Sequence, residues 1–198
     1  MDFFPFITRV AYNNICATIR TASCAVAEGS MARAAVEELD ETQEAVDLPL
    51  TNLIAVSVDG SWMKRGFSSL HGLIAVIGRE TGKVIDVSVK SLYCSFCRQW
   101  KNEEGTLEFE DVMRGHEPDY DVNHIGKSGA MEAAAAVELF GRSQDKRDLI
   151  YKVFIGDGDS RSYKAVVSGH PYGEENPVIK KECIGHVGKR MEQDFEAS

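Results

Sequence analysis

The sequence predicts an α/β protein in which three antiparallel strands are followed by alternating helix and strand, with a helical segment in front. Three observations carry this. Residues 53 to 90 hold three short apolar segments separated by turn residues. "SGAMEAAAAVELFGRS" (residues 128–143) is strongly helical and stands between those segments and a later apolar run, "YKVFI". Residues 7 to 46 repeat apolar side chains every four positions. A meander followed by helix and strand in alternation implies a mixed sheet with helices on its faces.

In the N-terminal segment the repeat is Ala27, Met31, Ala35 and Leu39, with a break marked near Gly29 and Ser30. Acids crowd its end in "EELDETQEAVD", a solvated face or linker, and Pro49 closes it. The chain therefore divides into a helical segment, 1–50, and a second unit, 51–198. That unit opens with "NLIAVSV", a nearly continuous apolar run expected of a strand buried on both faces. "HGLIAVIGRETGKVIDVSVKSLYC" reads as two strands joined by the Gly-containing loop "RETGK". In the second of them Ile85, Val87 and Val89 alternate with Asp86, Ser88 and Lys90, the period of a strand.

Residues 98 to 127 are polar and irregular, and a loop of that length inside a compact domain needs something to organise it. In the alanine-rich helix, Ala130, Ala134, Val137 and Phe140 line one face. Its capping signal is imperfect, because Glu132 lies three residues after Gly129 rather than after Ser128. A strand at 151–156, a short helix "SRSYKAVVSG" capped by Ser160, and a last strand in "VIKKECIGHV" complete the order.

Composition narrows the function classes. The 198 residues are 43% hydrophobic and 27% charged, ordinary for a globular protein, and suffice for one core or two small domains. No apolar run approaches the roughly 20 residues that span a bilayer. "MDFFPFITRV" does not read as a secretory signal. The expectation is an intracellular protein that is not a membrane protein, and five cysteines, an odd count, argue against a disulfide framework. The net charge of −9 requires any nucleic-acid contact to come from local basic patches.

Carboxylates recur at two similar places. Asp59 ends the first strand in "AVSVDGSW", and Asp157 ends the fourth in "KVFIGDGDS", with Asp159 two residues on; each aspartate precedes a glycine. Two readings are open. Asp-Gly is a strong turn dipeptide. Paired carboxylates at neighbouring strand ends are also oxygen ligands suited to Mg²⁺ or Mn²⁺. "VDGS" and "GDGDS" further suggest the haloacid-dehalogenase-like phosphatases, but the nucleophilic aspartate of that scheme falls on Ser57.

Cys94-Ser-Phe-Cys97, with His116 and His124 downstream, fits a tetrahedral zinc site that would organise the polar loop at about 93–127, with His124 the safer of the two histidines and expected to converge on the thiols. A redox pair or two unrelated thiols are the alternatives. Cys183 and His186 form a second short pair, which is too few ligands for a zinc site by itself.

Taken together, "VSVDGSWMKRGFSSLHGLIAVIGRETGKVIDV", "YCSFC", "HEPDYDVNHIGKSGAME", "GDGDSRSY" and "ECIGHVGKRM" resemble the Mutator-like transposase domain over roughly residues 52–192. The resemblance implies an RNase H-like fold and the chemistry of the DDE transposases. These are nuclear enzymes that use Mg²⁺ or Mn²⁺ to cleave DNA and transfer strands at transposon ends and target, and the resemblance allows a homo-oligomer. It implies that Asp59 and Asp157 are the first two catalytic acids, with Asp159 beside them, and that Cys183 and His186 are the Cys-x-x-His block of the group. Lys64, Arg65, Lys189 and Arg190 are the local basic residues for phosphates.

Two departures accompany it. Relatives often carry a cysteine where this chain has Tyr120, and two outcomes are open: His116 substitutes as the zinc ligand, or the loop has lost its zinc. The third acid of the family belongs to a helix well beyond His186, and Glu192 and Glu196 lie too close to replace it. The expectation is a fragment or remnant without cleavage activity of its own, and a domesticated or decayed DNA- or protein-binding domain is the alternative function.

Overall fold

A computed structural model gives the fold and describes residues 7–45, 51–64, 68–116, 121–156 and 161–182. Helix α1, Arg9–Ala45, is followed by β1 (Leu53–Trp62), β2 (His71–Gly78) and β3 (Val84–Ser91). Next come α2 (Ser95–Trp100), α3 (Leu107–His116), α4 (Met131–Gly141), α5 (Ser143–Arg147), β4 (Ile150–Gly156), α6 (Arg161–Gly169) and β5 (Ile179–Glu182). The five strands form one mixed sheet in the order β3-β2-β1-β4-β5. β1 to β3 are an antiparallel meander, β4 runs parallel to β1, and β5 runs parallel to β4.

Register decides which side chains meet. Val56 lies opposite Gly78 and Val58 opposite Val76, so Ile54, Val56 and Val58 share a face with Ile74 and Val76. Tyr151 and Phe154 of β4 join that face through their pairing with Ile54 and Val56. The core lies between this face and the helices, where Ala34 and Ala35 of α1, Ala135, Leu139 and Phe140 of α4, and Val166 of α6 pack on it. Phe140 sits edge-on to Tyr151 at 5.2 Å and stacks on Phe154 at 5.7 Å, in the offset and T-shaped geometries that aromatic quadrupoles favour.

The opposite face carries Leu73, Val84, Val89 and Ile179 exposed to solvent, and no member of the core cluster comes from it. β1 is thus buried on one face, not on both as its apolar run predicts. Its outward positions, Ala55 and Ser57, are small and only half-buried.

Three other expectations change. The buried side of β3 includes its polar side chains: Asp86 and Ser88 are buried, while Val89 is 53% exposed. The cause is a bulge. Ile77 pairs with Val84 but Val76 with Asp86, which leaves Ile85 as an extra residue and puts both Ile85 and Asp86 inward. On α4 the buried positions are Met131, Ala135, Ala136, Leu139 and Phe140, whereas Ala130 is exposed. In a run of alanines the larger Met131 and Leu139 fix the facing that periodicity leaves open. The polar segment after Cys94 is also not irregular, for it holds α2, a 3-10 turn (Lys101–Glu103) and α3.

α1 docks through Met31, Ala34, Ala35 and Glu38, close to the predicted stripe, although Ala27 is exposed. Glu38 is fully buried and closes the β2–β3 turn. It accepts hydrogen bonds from the amides of Glu80 (3.0 Å) and Thr81 (2.9 Å) and from the Thr81 hydroxyl (2.8 Å). The outer edge of β3 is capped by side chains. Arg147 donates to Ile85 O, Arg142 to Val87 O and Asn123 to Val89 O, and Ser91 N donates to Asn123 Oδ1. These bonds occupy backbone groups that an edge strand otherwise offers to another chain. Among the described residues no helix is long and apolar enough to cross a membrane.

Candidate metal centre and strand-end carboxylates

β3 delivers the chain to Cys94, whose extended backbone (φ −123°, ψ 121°) turns it into α2. Cys97 then sits one turn along that helix, and α3 returns His116 to the same point. Ligand atoms of Cys94, Cys97 and His116 all lie within 4.8 Å of one another, and Cys94 Sγ is 3.1 Å from His116 Nε2. The Phe96 ring lies against the His116 imidazole at 4.2 Å, tilted by 30°, and holds its plane.

Burial pushes the Cys94 thiol up, but the amides of Cys97 and Asp121 and the flanking His116 and Cys97 side chains outweigh this and bring it down to about 7. Burial and the neighbouring Cys94 push Cys97 up. Two sulfurs and an imidazole are a zinc-type donor set. With Zn–S near 2.3 Å, ligand atoms of a tetrahedral site stand about 3.7 Å apart, so these three side chains fit a zinc ion with small adjustments. α3 contributes no buried residue, so this segment lacks an apolar core of its own.

His124, the histidine expected to join the thiols, stands outside that group, and His116 takes the place. The strip around it runs beside the end of β3, with the amides of Asn123 and His124 both donating to Ser91 O. Its ring is buried, and Nε2 has no hydrogen-bond partner among the described residues.

Asp59 lies on the open face of the sheet and is exposed. It does not end β1: the strand continues to Trp62, with Asp59 opposite Ala75 of β2. The parallel pairing of β1 with β4 stops at Ser57 opposite Ile155, two residues before Asp59 on one strand and two before Asp157 on the other. Lys64 is exposed just past β1, with its amide bonded to Ser69 Oγ. Asp157, Asp159, Arg65, Cys183, His186, Lys189 and Arg190 lie outside the described residues, as do Tyr120, Glu192 and Glu196.

Sequence reasoning missed a further acid. Glu132, in the first turn of α4, accepts a 2.9 Å hydrogen bond from the buried Ser162 of α6. A Cβ on Gly60 would lie 3.4 Å from Glu132 Oε2, so this carboxylate is seated against β1 next to Asp59, on the opposite face. It ties the start of α6 to the start of α4. "GAME" signalled only helix capping, because its partner is thirty positions away.

No curated protein and no solved structure matches the chain. The family model for the Mutator-like transposase, in contrast, matches residues 1–197, and on that match the chain belongs to the Mutator-like transposase family.

Proposed function

We propose that residues 51–198 form an RNase H-like, DDE-type catalytic core, carried behind a helical segment formed by residues 1–50. Family membership implies transposition and contact with DNA. The observation that carries the finer reading is the parallel pairing of β1 and β4 beside an antiparallel meander, with Asp59 exposed just past the last pair. Asp59 and Asp157, with Asp159 assisting, hold Mg²⁺ or Mn²⁺ in this reading. When bound, such ions activate the attacking oxygen and stabilise the leaving one in a phosphodiester displacement. Lys64, Arg65, Lys189 and Arg190 contact phosphates, and such contacts position DNA without reading its sequence. The setting is the nucleus.

Cys94, Cys97 and His116 hold a structural Zn²⁺ that organises the 93–127 insertion. The buried Nε2 of His124, unpartnered among the described residues, is the group that completes a fourth position if residues 121–125 close on the cluster. Cys183 and His186 serve as the family's Cys-x-x-His block.

The test is Mn²⁺ binding by the wild-type chain, Asp59→Asn and Asp157→Asn, with nicking of supercoiled DNA as a second readout in which the wild-type chain, for which no third acid is identified, is expected to stay at background. Both variants should lose the metal-dependent signal while keeping the wild-type circular dichroism. Cleavage that survives in both variants overturns the catalytic assignment. DNA binding with neither metal uptake nor nicking in the wild type supports the non-enzymatic alternative instead.

A further inference from the structure

Two segments that carry the strand-end carboxylates are joined by one side chain. Glu132 stands in the first turn of α4 and is half-buried. Its Oε1 accepts the 2.9 Å hydrogen bond from Ser162 Oγ, and Ser162 is 2% exposed. Its Oε2 faces Gly60, where a Cβ would lie 3.4 Å from it and 3.7 Å from the Trp62 ring. Gly60 follows Asp59 directly, and Ser162 follows Asp157 by five residues and Asp159 by three. One carboxylate thus touches the residue beside the first proposed acid and the helix that begins after the second.

The core does not supply this constraint. α6 is anchored to the body through Val166, in its second turn, and through Tyr163, whose hydroxyl donates to Val178 O at 3.3 Å. The pairing of β1 with β4 ends at Ser57 and Ile155, and beyond it, among the described residues, no strand pairing spaces the two chains. Glu132 braces them there, with Gly60 on one oxygen and the Ser162 hydroxyl on the other.

We infer that Glu132 is a positioning residue for the metal centre proposed above. It sets the start of α6 against β1 and, through that, the spacing of the carboxylates that hold Mg²⁺ or Mn²⁺. The inference rests on that reading of Asp59 and Asp157. Asp59 stands on the opposite face of β1, so Glu132 acts through the chain and not on the ion. Groups that orient the ligands of a metal without touching it commonly decide its affinity. Glu132 serves here as a hydrogen-bond acceptor, and an amide oxygen can take that part.

The test is a Mn²⁺ titration of the full chain, followed by electron paramagnetic resonance of the free ion, with hydrogen exchange read alongside. Glu132→Ala and Ser162→Ala should each weaken Mn²⁺ binding about tenfold, the low end for outer partners of a metal site. The double variant should bind no more weakly than either alone, because both changes cut one contact. Glu132→Gln, which still accepts from Ser162, should keep wild-type binding. Both alanine variants should also speed exchange at the amides of Ala165 and Val166, which close the first turn of α6 on Arg161 and Ser162. Mn²⁺ binding that is unaltered in Glu132→Ala but lost in Asp59→Asn overturns the inference. So does Glu132→Gln binding as weakly as Glu132→Ala, or exchange in α6 that does not change. Mn²⁺ binding indifferent to Asp59→Asn refutes the metal reading itself, and the positioning role falls with it.

Discussion

Cys94 Sγ and His116 Nε2 stand 3.1 Å apart although 22 residues separate them, and Cys97 completes the group. Metal analysis of purified chain should find about one zinc per molecule, the stoichiometry of a single such site. Cys97→Ser and His116→Ala should each lower zinc content and the thermal midpoint, and chelation should melt α3 before the sheet. Zinc content that is unchanged in both variants would remove the metal from the site.

Gly78 and Glu38 form a second dependent pair. A Cβ on Gly78 would lie 2.3 Å from Glu38 Oε2 and 2.4 Å from its Cδ, so the carboxylate fills the space a side chain would take. Gly78→Ala should cost about 2 kcal/mol by forcing this buried group aside, in the range of overpacking substitutions. Glu38→Ala should cost a similar amount, about 2 kcal/mol, by stripping partners from the β2–β3 turn. The double variant should cost clearly less than the sum, because one change removes what the other collides with. Additive costs in urea denaturation would mean that the two residues act separately.

Much of the sheet was readable because its signals are local. The "RETGK" loop, the apolar run of β1 and the alanine-rich α4 each declare themselves within a dozen residues. α3 was readable too but passed over. Thr106 Oγ1 caps it by accepting from Phe109 N at 3.1 Å, with Glu108 and Glu110 in its first turn and Arg114 and His116 in its last.

What sequence could not display is non-local. The inward turn of Asp86 follows from a one-residue bulge and from cations that lie 56 to 61 residues later in the chain. For the metal cluster, Cys-x-x-Cys spacing marked the thiols, but the choice of histidine depends on where α3 ends. The seat of Glu132 against Gly60 depends on how α4 crosses the sheet.

Asp86 has no solvent exposure and is encircled by cations. Arg142 donates through Nε (2.9 Å) and Nη2 (3.1 Å), Lys146 lies at 2.8 Å, and Arg147 lies at 3.9 Å while pairing with Glu28 of α1. Glu138 pairs with Arg142 and Lys90, so the network joins α1, β3, α4 and α5. Asp86→Ala should destabilise by about 3 kcal/mol, the lower end for breaking a buried pair, because Arg142 and Lys146 keep part of their hydration. It should also free Arg142 from the β3 edge and raise aggregation on heating. A loss below about 1 kcal/mol, the level of a surface ion pair, would show that the network is not load-sharing.

The same carboxylate sets a pH dependence. Burial pushes Asp86 up, but hydrogen bonds from Arg142 and Lys146 and the charge of Arg142 outweigh it, and the net direction is below the ordinary aspartate value. A carboxyl depressed in the folded state adds stability that is fully present above its unfolded value, near 3.9, and is lost as pH falls through the lower folded value. Glu28, lowered chiefly by its hydrogen bond from Arg147, acts in the same direction but is nearly half exposed, so its share is smaller. The urea midpoint of the wild type should therefore be level between about pH 7 and pH 5 and fall steeply below about pH 4. Asp86→Asn should start lower and fall less over the same interval, so that the two curves converge in acid. Curves that stay parallel down to pH 3 would mean that Asp86 is not held ionised by Arg142 and Lys146.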